Sequence, residues 1–227
     1  MLFLTQFVTM IVILILNKRT IMNKPRLYYV YDPMCSWCWG YHPTWQTLQQ
    51  QLSPLVDIQY LVGGLAPDSD EPMADDMKAF LQQTWQRISA QLGTEFNFDF
   101  WRDCQPRRST YPACRATLIA RNHNLEQEMY LAIQQAYYLQ AKNPSDLSTL
   151  TKIAKGLGLN EADFVKKMAS ESLNNQLRDE IRLARAMPIN GFPSLVLAIN
   201  GNKYPIVIDY LNWKVSYDDV IKRLPSQ

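Results

Sequence analysis

Strand-like sequence lies only at the two ends of this chain, and that gap constrains the fold more than any composition figure. Residues 27–31 (LYYVY) read as a short buried strand, stopped by Asp32-Pro33. Residues 36–52 then place Trp39, Trp45, Leu48 and Leu52 at near-helical spacing, with Pro43 inside the pattern, where loss of an amide donor predicts a kink. Residues 58–62 form a second strand, closed by Gly63-Gly64. From about Met73 to Met187 no strand-like alternation occurs. Met77, Phe80, Leu81, Trp85, Ile88 and Leu92 fit one amphipathic helix, and Leu125, Met129, Ile133 and Ala136 fit another. Asn160 is placed to cap a helix over 161–169. Strands return at 194–199 and 204–208, flanking Asn200-Gly201, a strong hairpin signal. Pro205 puts the second of them at a sheet edge. A last helix is expected at about 216–224. The fold class is therefore α/β, with the order strand, helix, strand, long helical block, hairpin, helix.

The chemistry gathers after the first strand, in DPMCSWC at 32–38. Cys35 and Cys38 are separated by two residues. Four cysteines in 227 residues are too few for a disulfide scaffold. Structural zinc takes four Cys or His ligands in two spaced pairs. Here Cys104 and Cys114 are separated by nine residues and His42 is the only nearby histidine, so no metal site is expected.

With this pair after the first strand, the helical block, and Gly191-Phe192-Pro193 just before the hairpin, the sequence resembles the DsbA-like thiol–disulfide oxidoreductases, in particular their FrnE-like branch. The resemblance covers nearly everything from Arg26 onward. It implies a thioredoxin-like fold interrupted by an all-helical insertion domain. Residues 24–66 and 188–227 would form the thioredoxin-like part and residues 67–187 the insertion. It also implies a cis proline at Pro193 facing the cysteines, with Phe192 beside it as a substrate contact; Trp37, by its place between the cysteines, is expected to be exposed and to form part of an apolar peptide-contact surface. Thioredoxin-fold enzymes often bury an acid six residues before the first active-site cysteine; Tyr29 holds that place here. Asp32 is left either as a proton relay or as a strand terminator.

Physical chemistry agrees with these roles. The first turn of a helix offers unpaired amides and a favourable dipole, which stabilise a thiolate on Cys35. Cys38 follows about one helical turn later, within reach of a disulfide made by Cys35. Cys35 is thus the nucleophile and Cys38 the resolving thiol, acting on protein or small-molecule thiols and disulfides. No cofactor is required, though glutathione is a candidate co-substrate. Arg107, Arg108 and Arg115 flank the other two cysteines; they either raise the thiolate fraction nearby or bind an anionic thiol. Cys104 and Cys114 themselves read as ordinary free cysteines, with a second thiol brought near the active site or a further disulfide as the alternatives. Two other functions remain open: a glutathione-dependent isomerase or transferase of the kappa and hydroxychromene carboxylate isomerase type, and a non-catalytic, chaperone-like peptide-binding module.

A net charge of +2 with no long basic run argues against nucleic acid as a partner. Residues 2–16 (LFLTQFVTMIVILIL) are apolar but shorter than the roughly 17 residues a membrane span needs. The basic residues follow that run, at Lys18, Arg19, Lys24 and Arg26, and no small-residue cleavage site appears. Residues 1–23 are read as an upstream extension with translation starting at Met22, as a weak anchor, or as a cleaved signal. The first two leave the rest of the chain cytoplasmic, with membrane association only through residues 2–16; the third makes it periplasmic.

Overall fold

The computed structural model describes residues 24–225, so the expectations for the apolar N-terminal segment lie outside the described residues. Four strands form one mixed sheet in the order β2-β1-β3-β4. β1 (Arg26–Tyr31) pairs in parallel with β2 (Asp57–Val62) and antiparallel with β3 (Ser194–Ile199), which pairs antiparallel with β4 (Asn202–Ile206). A parallel pair requires a crossover. Here it is α1 (Ser36–Leu52), which continues unbroken through Pro43.

Between β2 and β3 the chain is helical throughout. It forms α2 (Asp75–Leu92), α3 (Phe100–Asp103), α4 (Tyr111–Arg121), α5 (Glu126–Tyr138), α6 (Leu147–Gly156), α7 (Glu161–Met168) and α8 (Glu171–Arg185). The only pairing in this stretch is an isolated bridge between Pro72 and Arg107. Asn160 does cap α7, accepting from the Asp163 amide. A final helix, α9 (Trp213–Arg223), packs beside α1. Among the described residues no helix is long and apolar enough to cross a membrane.

Two boundaries differ from the sequence reading. β4 begins at Asn202, two residues early, because Asn200 and Gly201 both take positive φ (52° and 82°). A two-residue turn of that kind matches strand twist and lets pairing resume at once, Ile199 opposite Asn202. α9 begins at Trp213 because Asn212 accepts from the Lys214 amide, a cap the periodicity did not reveal.

The core is shared. Leu27, Tyr29 and Tyr31 of β1 point to the same side, as a period of two requires, and meet Trp45, Leu48 and Leu52 of α1. The same cluster includes Trp85, Tyr130, Tyr137 and Tyr138 from the helical stretch. Tyr29 stacks on Trp45 at 4.3 Å between centroids, and Tyr31 lies 4.4 Å from Tyr130. The opposite face of the sheet, with Val30, Leu61 and Val196, is covered by Ala184 and Met187 at the end of α8. Arg121 of α4 adds a polar tie at the edge strand. It pairs with Glu126 and Glu180 and donates to the Tyr60 carbonyl, while Glu180 accepts from the Val62 amide.

Candidate active site

The turn that presents the cysteine pair is organised by Asp32. Its backbone carbonyl accepts from the Cys35 amide at 3.0 Å and its side chain accepts from the Met34 amide at 2.8 Å. An aspartate that bonds the backbone two residues on is a local turn-maker. The chain then enters α1 with Cys35 as N-cap, in extended geometry, its carbonyl accepting from Trp39 at 3.1 Å. No side chain caps this helix, so the first-turn amides have no side-chain acceptor. An N-cap side chain is normally the acceptor for those amides. A thiolate on Cys35 would take that role.

The two thiols differ sharply in environment. Cys35 keeps 8% of its surface exposed and Cys38 none. Burial, above all, pushes the Cys38 thiol up, and its contact with Cys35 adds to that. Both are free thiols, as are Cys104 and Cys114.

The Phe192–Pro193 bond is cis, and the Cys35 thiol donates to the Phe192 carbonyl at 3.4 Å. Pro193 is buried and Phe192 half-buried. The Phe192 ring lies directly over Gly63, where a Cβ would come 2.0 Å from Cε1. Gly63, the first of the two glycines that closed β2 in the sequence, therefore also seats the proline loop, a role the strand-ending signal alone did not disclose. Trp37 is half-buried, 5.1 Å from the Tyr210 ring, with the Arg87 guanidinium 5.3 Å from its centroid. Neither Arg87 nor Tyr210 carried a sequence signal.

Tyr29 is fully buried with its hydroxyl 3.3 Å from that of Tyr130. Burial and then the neighbouring Cys38 hold this phenol well above its ordinary value, so it is neutral and is no substitute for a carboxylate. Asp32 is fully buried and does more than end a strand. Its Oδ2 accepts from the Leu65 amide at 2.6 Å and the Thr110 hydroxyl at 2.7 Å, with the Cys114 thiol at 3.6 Å. Burial raises its carboxyl, and these donors oppose the rise. The turn is gripped elsewhere too: Tyr138 donates to the Met34 carbonyl at 2.8 Å.

The arginines beside the second pair of cysteines are mostly spent. Arg107 pairs with Asp146 and donates to the Ser145 carbonyl, and Arg115 pairs with Asp68 at 2.6 Å. Arg108 is exposed, with its guanidinium 3.3 Å from the Met77 sulfur. Cys104 donates to the Ala141 carbonyl at 3.1 Å, whereas the Cys114 thiol turns to Asp32. Among the described residues no cluster of three or more His, Cys, Asp or Glu could hold a metal.

Comparison with known proteins places this arrangement. The family model for the DSBA-like thioredoxin domain matches residues 26–214. A provisionally named protein disulfide isomerase from Nitrosomonas europaea superposes with a TM-score of 0.76 at 26% identity, covering 88% of this chain and 97% of that one. The cytosolic disulfide reductase DsbM from Pseudomonas aeruginosa superposes with a TM-score of 0.70 at 24% identity, covering 87% and 98%. DsbM has also been solved with glutathione, and that structure superposes at 0.69 and 23% identity, covering 88% and 100%. Among curated sequences, the ClpXP adapter protein SpxH of Bacillus subtilis is 23% identical over 177 residues, 76% of this chain. The match spans 58% of the SpxH length.

Proposed function

The chain belongs to the DSBA-like thioredoxin domain family, and from that premise we propose that it is a thiol–disulfide oxidoreductase using Cys35 as nucleophile and Cys38 as resolving thiol. One observation carries the reading: a partly exposed Cys35 caps α1 beside the Phe192 carbonyl, with Cys38 sealed behind it. The Cys35 thiolate attacks one sulfur of a substrate disulfide. The Cys35–substrate mixed disulfide forms and the other substrate sulfur leaves as thiolate. Cys38 then loses its proton and attacks the Cys35 sulfur. The internal disulfide forms, the substrate leaves fully reduced, and the two electrons come from the cysteine pair. The reverse sequence oxidises a dithiol.

Pro193 and Phe192 border the reacting sulfur, and Trp37 forms the flank of the entrance toward Tyr210; these are the substrate contacts in this reading. Asp32 serves as the internal proton acceptor for Cys38, whose complete burial excludes water from that task. The substrates are protein or small-molecule thiols and disulfides, with glutathione as the small thiol, and the site of action is the cytoplasm. The likeness to DsbM supports both choices. A transferase of the kappa type needs one Ser or Cys at the helix start and has no use for a thiol at Cys38.

The test is disulfide exchange with oxidised and reduced glutathione, which also yields the reduction potential of the pair. A tenfold change in that equilibrium corresponds to about 30 mV. Equilibration of Cys35–Cys38 with the glutathione couple supports the proposal. Glutathione binding without any exchange of thiol and disulfide would refute it.

A further inference from the structure

The Asp32 carboxylate is a buried charge with no cation beside it. Among the described residues no Lys, Arg or His bonds to it; every donor is neutral. A carboxylate in such a place remains ionised only through its hydrogen bonds. Two of the donors, Met34 N–H and Leu65 N–H, are backbone groups fixed by the turn and by the end of β2. The other two are side chains of the inserted helical stretch, Thr110 and Cys114.

Thr110 is the unusual one. It stands at the N-cap of α4, where threonine normally turns its oxygen to the helix's own amides, yet it makes no such cap. Its hydroxyl lies 2.7 Å from Asp32 Oδ2 and accepts from the Ala66 amide at 3.1 Å. Its own amide donates to the Ala66 carbonyl at 3.0 Å. The Ala66 carbonyl lies 3.3 Å from the same hydroxyl, but the carboxylate is both closer and charged, so the hydroxyl donates to Asp32, and α4 forgoes a cap to achieve this.

We infer that Thr110 is a positioning residue contributed to the active site by the inserted helices: its hydroxyl holds the Asp32 carboxylate in place as the proton acceptor for Cys38. The inference rests on the exchange chemistry proposed above and on the role given there to Asp32. Its consequence is that the insertion, and not only the thioredoxin-like part, sets the pH at which a mixed disulfide is resolved.

The titratable groups around Asp32 are few. The Cys114 thiol of α4 touches it, Cys38 of α1 and Tyr137 and Tyr138 of α5 feel its charge, and Cys35 stands on its own turn. Burial holds both tyrosines and both buried thiols neutral near pH 7, and in the mixed disulfide Cys35 has no proton to lose, so at the resolving step Asp32 is the group whose ionisation changes. Removing a hydrogen bond from its charged form favours the protonated form, and the carboxyl then titrates at higher pH.

The experiment separates the two steps. Reduced protein carrying Cys104→Ser is mixed with dithiobis(nitrobenzoate). Attack by Cys35 releases one nitrothiobenzoate anion, and resolution by Cys38 releases the second, so two absorbance phases are followed against pH. Thr110→Val keeps the shape and loses the hydroxyl. It should leave the first phase within about twofold and move the acid limb of the second phase upward by about one pH unit. Below that limb this is a tenfold loss of rate, from the worth of a hydrogen bond to a charged group. Thr110→Ser should restore the original profile. Cys114→Ala should move the limb the same way by less. Thr110→Ala replaces Thr110→Val if the latter is not recovered folded.

Slowing of both phases alike, with no shift in profile, would show a general structural role and overturn the inference. Asp32→Asn tells the two readings apart. If Asp32→Asn loses the acid limb while Thr110→Val keeps it unchanged, Thr110 alone is refuted. If Asp32→Asn resolves with the original profile, the proton role of Asp32 fails, and this inference with it.

Discussion

Gly63 is the position where a single methyl group should disturb the site most. A Cβ there would stand 2.0 Å from Phe192 Cε1 and 2.1 Å from Cζ, whereas ordinary contact begins near 3.4 Å. The ring must therefore move by about 1.4 Å, the difference between 3.4 and 2.0. The obstacle is the ring of a residue whose carbonyl is the acceptor for the Cys35 thiol, so the displacement reaches the Cys35 sulfur. Overpacking of this kind costs about 2 kcal/mol, and for a chain of this size that is about 4–8 °C in Tm. A misplacement of about an ångström near the chemistry costs up to about a hundredfold in rate; at least a fivefold fall in exchange rate is expected for Gly63→Ala. The assay is thermal unfolding together with the rate of disulfide exchange. Adding Phe192→Leu, which shortens the obstacle, should recover much of the lost Tm. If Gly63→Ala matches the parent in both Tm and rate, the seating of Phe192 on this glycine is wrong.

Glu180 accepts from the Val62 amide and pairs with Arg121, so Glu180→Ala leaves that buried amide without an acceptor and Arg121 with Glu126 as its one carboxylate, and should cost about 2 kcal/mol in denaturant unfolding; a loss under about 0.5 kcal/mol would mean that solvent replaces these bonds. Alkylation of the reduced protein at neutral pH, followed by peptide mass mapping, should label Cys35 well before Cys38, since only Cys35 retains exposure; equal rates would contradict the division of roles. Burial lowers the His42 imidazole, and a base depressed in the fold binds its proton more readily when unfolded. Its contribution is complete above the unfolded value near 6.5 and declines as pH falls toward the folded one. Urea unfolding from pH 7 to 5 should show less pH dependence in His42→Gln, and an unchanged slope would remove His42 as its source.

Much of this was legible in the sequence because the decisive signals are local. A strand that stops at Asp-Pro, a helix that opens on a cysteine and an Asn-Gly hairpin each depend on a few adjacent residues, and they yield the sheet and the place of Cys35 and Cys38 at the start of α1. Phe192-Pro193 was legible only by family resemblance, since nothing local brings residue 192 to residue 35. Thr110 and Gly63 stayed hidden for the opposite reason. Their roles come from contacts across 78 residues in one case and 129 in the other, and each has an ordinary local explanation, a helix cap and a strand end. Asp32 lay between these cases. Its place beside the pair was visible, but its four donors come from three separate parts of the chain. The arginines near Cys104 and Cys114 illustrate the limit of charge counting, because Asp68 and Asp146, distant in sequence, take up two of the three.

The central claim is that Cys35 attacks and Cys38 resolves. The most direct measurement is intact-protein mass after mixing with oxidised glutathione, for the parent chain and for Cys38→Ser and Cys35→Ser. The parent should end as the internal Cys35–Cys38 disulfide with no adduct. Cys38→Ser should accumulate one glutathione, mapped to Cys35. Cys35→Ser should form neither species. An adduct on Cys38 in the Cys35→Ser variant, or none on Cys35 in Cys38→Ser, would contradict the account.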